Sequence, residues 1–113
     1  MEECIFCKII NKEIPSKIVI ENDYVIAFED LHPVAPVHIL VVPKKHIQNV
    51  MKLTEEDTIY LQEVYKAVQE IAKEKQIDET GFRVLTNNGE DAGQTIKHLH
   101  FHILGGRKMD IMG

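Results

Sequence analysis

The sequence predicts an α+β fold: an antiparallel sheet with helices packed on one face. Three observations carry it. Short apolar runs bounded by turn residues recur along the chain, as in KIVI (17–20), YVIAFE (24–29), HILVVP (38–43) and FRVLT (82–86). One long stretch, from Thr54 to about Gln76, has helical spacing instead. Most connections between strands are short, which favours antiparallel neighbours over crossovers. The 113 residues fit one domain, 1–113, with a modest core.

The elements follow in order. Residues 3–11 place Ile5, Phe6, Ile9 and Ile10 on one helical face. Glu2 and Glu3 stand at the positive end of that helix dipole, and Pro15 lies just beyond it. The next two runs read as strands, separated by the turn residues Glu21, Asn22 and Asp23. Asp30 to Pro36, DLHPVAP, is a loop because two prolines break regular structure. The run 38–43 is an apolar strand that stops at Pro43. Thr54 is a good N-cap, followed by Glu55, Glu56 and Asp57 in the first turn. The helix it opens carries a stripe of Leu61, Val64, Tyr65, Val68, Ile71 and Ala72 to cover a sheet, and should fray near Gln76. A strand at 82–86 and the turn-rich loop NNGEDAG (87–93) lead into the last segment.

That segment is KHLHFHIL, 97–104. His98, His100 and His102 alternate with Leu99, Phe101 and Ile103, which is strand periodicity. The apolar set would face a core. The imidazoles would line the other face, about 7 Å apart, near enough to converge on one small group. Three chemistries suit such a row: a metal triad, nucleophilic or acid–base catalysis, and anion binding. The preceding loop favours a phosphate ester. Gly89 and Gly93 permit tight backbone geometry whose N–H groups can cradle a phosphate, and Gln94 and Thr95 add side-chain donors.

Composition narrows the classes. Lys and Arg number 13 against 18 Asp and Glu, a net charge of -5, which argues against a general nucleic-acid binder. No stretch approaches the length of a membrane span. The start, MEECIFCKII, carries acidic residues where a secretory signal needs basic ones, and its apolar run is too short, so a cytoplasmic protein is expected. In that compartment Cys4 and Cys7 are thiols or metal ligands rather than a structural disulfide. No thioredoxin-like unit surrounds them, and two thiolates with two histidines from elsewhere would complete a tetrahedral zinc site.

The residues now on the page resemble the histidine triad (HIT) family, specifically its Hint branch. The resemblance rests on CIFCKIINKEIPSKIVIEND, DLHPVAPVHILVVPKKHI and NNGEDAGQTIKHLHFHILGGR, in that order over nearly the whole chain. It implies a homodimer with the HIT-like α+β fold, the sheet extended or packed across the dimer. It also implies a hydrolase or transferase acting on the α-phosphate of purine nucleoside phosphoramidates, with an AMP-type ligand. By position, His100 is the nucleophile, its ring oriented by the backbone carbonyl of His98. His102 and His38 are the phosphate-side histidines, with Thr95 near the leaving group. Asn87, Gly93, Gln94 and Thr95 match the phosphate-contacting loop. Ile5, Phe6, Ile9, Phe28, Asp30 and Leu31 match the nucleoside pocket, with Asp30 on the ribose. In cysteine-bearing relatives a CxxC pair joins two histidines on zinc, which makes Cys4, Cys7, His46 and His98 the ligands of a structural Zn2+ not needed for the chemical step. The resemblance assigns His32 no role. One departure stands out: relatives commonly end in a Trp-Pro-Pro-Gly type tail, whereas this chain ends KMDIMG (108–113). Two other readings carry different expectations: a nucleotide-binding module with vestigial catalysis, and a hydrolase using the three histidines as a metal triad.

Overall fold

The computed structural model describes residues 4–111; Glu2 and Glu3, and the last two residues of the tail, lie outside them. Helix α1 (Ile5–Ile10) is followed by strands β1 (Ile18–Glu21), β2 (Val25–Glu29) and β3 (Val37–Pro43). The long helix α2 (Thr58–Glu74) comes next, then β4 (Phe82–Leu85) and β5 (Phe101–Gly105). The strands form one antiparallel sheet in the order β1-β2-β3-β5-β4. The α+β class and the antiparallel sheet are those the sequence predicts.

Side-chain parity divides the sheet into two working faces. Val25, Ala27, Ile39, Val41, Leu99, Phe101 and Ile103 join Val64, Val68 and Ile71 of α2 in the larger core. Ile26, Phe28, Leu40 and Val42 face the opposite way and pack with Phe6 and Ile9 of α1. The expectation that the helices share one face therefore needs correction. Only α2 covers the core face, and α1 lies across the other, with the histidines. Tyr65, assigned to the α2 stripe, sits at its margin and is 51% exposed, its ring edge-on to Phe101.

Both ends of α2 are closed by specific contacts. The buried Asp57 carboxylate accepts from the Thr54 backbone N–H and hydroxyl and from Lys45 Nζ, at 3.0, 3.1 and 2.7 Å. A single 3-10 turn, Glu55–Asp57, thus joins the cap to the helix. At the other end Gln76 adopts a left-handed φ of 59°. The Ile77 N–H then returns to the Ala72 carbonyl and the Gln76 N–H to Lys73, a Schellman turn. The helix ends where the sequence places its end, but in an ordered turn rather than by fraying.

Ile77, buried at that turn, packs directly on Gly105 at the end of β5. A Cβ at Gly105 would stand 2.7 Å from Ile77 Cδ1 and 3.1 Å from its Cγ2. Gly105→Ala should destabilise the fold by about 1–3 kcal/mol in urea denaturation, the usual range for overpacking. Adding Ile77→Ala should recover part of that loss, and strict additivity of the two substitutions would refute the steric account.

Candidate active site

The site lies on the α1 face, where β5 and the segment before it bring the histidines in. The histidine strand is shorter than its alternation suggests. Only His102 is inside β5, because the Leu99 N–H leaves the ladder for the Ile47 carbonyl (2.6 Å). Parity survives all the same, with Leu99, Phe101 and Ile103 in the core and the imidazoles on the far side.

The three rings turn to three different partners, so they do not converge on one ion. His100 Nδ1 lies 2.7 Å from the His98 backbone oxygen. A carbonyl only accepts, so Nδ1 carries the proton and Nε2 keeps its lone pair. The ring is buried and packs edge-on to Phe6, centroids 4.9 Å apart. Burial lowers its pKa, opposed by the His98 hydrogen bond and the charge of Asp30.

His102 is set by a relay. The Val34 backbone N–H donates to His38 Nδ1 at 3.1 Å, so that nitrogen is unprotonated. His38 Nε2–H therefore donates to His102 Nδ1 at 2.9 Å, with Asp30 Oδ2 3.4 Å away. The remaining His102 nitrogen, Nε2, must then carry a proton and offers it as a donor. Burial holds the pKa of His38 below its ordinary value. It pushes that of His102 down to about 4, aided by the neighbouring rings of His100 and His38. Asp30, His38 and His102 bring ligand atoms within 4.8 Å of one another. A metal on His38 Nε2 would force a proton onto Nδ1, against the Val34 N–H, so this trio is a hydrogen-bond relay and not a cation site.

His98 faces away from both rings. Its Nε2–H donates to the Pro43 carbonyl at 2.8 Å, leaving the Nδ1 lone pair directed at the cysteines. Nδ1 is 3.3 Å from Cys4 Sγ and 3.6 Å from Cys7 Sγ, and His46 Nδ1 is 3.2 Å from Cys7 Sγ. All four ligand atoms lie within 4.8 Å of one another, a possible metal site. Cys4 Sγ also caps α1 by accepting the Cys7 N–H. Burial, and then the hydrogen bond and charge of Cys4, push the Cys7 thiol up to about 11.

A cavity of about 360 Å³ opens beside these rings. Of the residues matched to the nucleoside pocket, Ile5, Phe6, Ile9, Phe28, Asp30 and Leu31 all line it, together with Thr95, His100 and His102. His38 stands one step behind, against His102. The loop before the histidines departs from expectation. The N–H groups of Ala92 and Gln94 bond to the Gly89 carbonyl and that of Gly93 to the Glu90 carbonyl, around the 3-10 turn Glu90–Ala92, and Gly93 takes a φ of 82° to close it. Gln94 Oε1 accepts from the Gly89 N–H, while its Nε2 donates to the carbonyls of Gln48 and Ile96. Gln94 and Gly93 thus brace the loop rather than offer free donors, and with Asn87 they stay off the cavity wall. The loop delivers Thr95. His32, without a role in the sequence reading, does line the cavity, and its N–H donates to Asp30 Oδ1.

The HIT domain model matches residues 11–109, and the chain belongs to the HIT family. A histidine triad protein from Clostridium difficile is 51% identical, with full coverage of both chains and a TM-score of 0.94. A HIT family hydrolase from Clostridium thermocellum is 46% identical, covering 99% of this chain and 97% of its own, with a TM-score of 0.95. A histidine triad nucleotide-binding protein from Candida albicans is 34% identical, covering 98% and 87%, with a TM-score of 0.82. Among the described residues, no helix is long and apolar enough to cross a membrane.

Burial of His102, aided by the neighbouring His100 and His38 rings, gives a pH dependence with a definite sign. The folded pKa of His102 lies below the unfolded value of 6.5, so at mildly acidic pH the unfolded chain binds protons the folded chain refuses. Stability should be level above pH 7 and fall as pH drops from about 6.5 towards 4. Urea denaturation at half-unit pH steps measures it, and a midpoint that rises on acidification would contradict the burial of a neutral His102.

Proposed function

We propose that this protein is a hydrolase of purine nucleoside phosphoramidates, working through a nucleotidyl-His100 intermediate. The single observation that carries the reading is the His100 ring. With Nδ1–H held by a carbonyl, Nε2 is a neutral nucleophile on the wall of a nucleotide-sized cavity. Nε2 bonds to the α-phosphorus as the P–N bond of the substrate breaks, and the leaving nitrogen takes a proton from solvent to depart as the amine. Positive charge on the imidazole is stabilised by the His98 carbonyl at its other nitrogen. His102 Nε2–H donates to a phosphoryl oxygen as charge develops there, with His38 fixing its tautomer. Thr95 stands at the leaving-group side. Water then displaces His100 and releases the nucleoside monophosphate. Asp30 binds the ribose hydroxyls, and the apolar wall holds the base. Similarity to a hydrolase and to a nucleotide-binding protein of the same family supports this reading.

Cys4, Cys7, His46 and His98 hold a structural Zn2+ in the same reading. A tetrahedral zinc with sulfur and nitrogen ligands has ligand–ligand edges of about 3.3–3.8 Å. Of the Sγ–Nδ1 spacings, 3.3 and 3.6 Å fall within that range and 3.2 Å lies just below it. His98 also donates its second nitrogen to a carbonyl, as metal-bound histidines do. The ion would tie α1 to the His98 segment, since Cys4 and Cys7 belong to the first and His98 to the second. The chain acts as a cytoplasmic homodimer, for which the edge strand β4, with Phe82 37% exposed, offers a pairing surface.

The test is turnover of an adenosine phosphoramidate by wild type, His100→Ala and His102→Ala, with metal content measured on each. His100→Ala should lose at least about a thousandfold in kcat and keep its metal. His102→Ala should lose about a hundredfold, the usual effect of removing one donor to a developing charge. An unaffected His100→Ala would remove the nucleophile, and a wild type that binds AMP without turnover would mark a binding module. Cys4→Ser with Cys7→Ser should lose the metal and lower Tm, while chelation should act slowly, through unfolding.

A further inference from the structure

Ser16 lies in the corner between α1 and β1 and lines the same cavity. Its Oγ is closed off from solvent. Among the described residues it is the buried side-chain polar atom without a hydrogen-bond partner. Folded proteins keep few such atoms, because an unpaired buried hydroxyl is destabilising. The same cavity is lined by the apolar side chains of Ile9, Ile14 and Phe28.

Its place along the cavity suggests the missing partner. The cavity crosses the sheet from His102 on β5, past Leu40 on β3 and Phe28 on β2, to the approach of β1. Ser16 stands at that last position, next to Lys17, whose carbonyl accepts the Glu29 N–H. Three strand spacings separate the two ends, about 14 Å, which suits a nucleoside monophosphate laid across the strands. With phosphate at His100 and His102 and ribose at Asp30, the far end receives the edge of the base.

We infer that Ser16 is a specificity-determining residue that hydrogen-bonds the polar edge of the purine. Serine has one heavy-atom torsion, χ1, so a change of staggered well re-aims the hydroxyl, and base recognition uses the well that faces the cavity Ser16 lines. The atom without a partner in the free protein gains one in the complex. This inference rests on the nucleotide reading above.

Ser16→Ala separates the possibilities. Removing an unpaired hydroxyl should leave Tm of the free protein unchanged or raise it. Affinity for AMP, measured by calorimetry, should fall about 3–10-fold, the range of one neutral hydrogen bond. Affinity for ribose 5-phosphate, which has no base, should not change. Equal loss for both ligands, or no loss for AMP, would overturn the assignment. A lower Tm would overturn it too, by showing that the hydroxyl supports the fold through a buried water. Failure of wild type to bind AMP at all would reject the nucleotide reading itself.

Discussion

Everything about this site depends on one hydrogen bond, from His100 Nδ1–H to the carbonyl two residues earlier. It decides which nitrogen of His100 is free, and so whether the ring can act as a nucleophile. A contact that short in sequence is only as rigid as the segment that makes it. The surrounding structure fixes that segment from three sides. His98 Nε2–H reaches the Pro43 carbonyl, the Leu99 N–H reaches Ile47, and the Thr86 hydroxyl donates to the His100 carbonyl at 2.7 Å. The first two partners lie at and just after the end of β3, and the third just after β4.

The sheet separates stability from chemistry. Its α2 face is closely packed and apolar. The opposite face carries the relay, the cysteine–histidine cluster and the cavity, screened by one short helix. A six-residue helix is too short to hold itself together in water. Cys4 as its cap, and Phe6 and Ile9 as its packed face, therefore anchor one wall of the cavity.

Much of this was legible in the sequence. Alternation at 98–103 gave the right parity even where the ladder stops, because packing of Leu99, Phe101 and Ile103 keeps the side chains in register. Gln76 as the end of α2 could be read from the pattern. The side on which α1 packs could not, since helical spacing says nothing about which face of a sheet receives it. The relay was equally hidden: it begins at a backbone N–H, that of Val34, and such groups have no sequence signature. Gln94 looked like a donor because its partner, the Gln48 carbonyl, lies 46 residues away. Thr95 and Asp30, both named from the sequence, line the cavity wall. The Ser16 corner had only an unremarkable Pro-Ser dipeptide to mark it.

Strand β3 serves both faces at once. Ile39 and Val41 enter the α2 core, while His38, Leu40 and Val42 lie on the histidine side, His38 reaching diagonally to His102. A single-residue insertion or deletion within it would exchange the two sets, putting an imidazole into the core and taking it out of the relay. Point substitutions can accumulate gradually on either face, but the length of this strand can change only together with everything it touches.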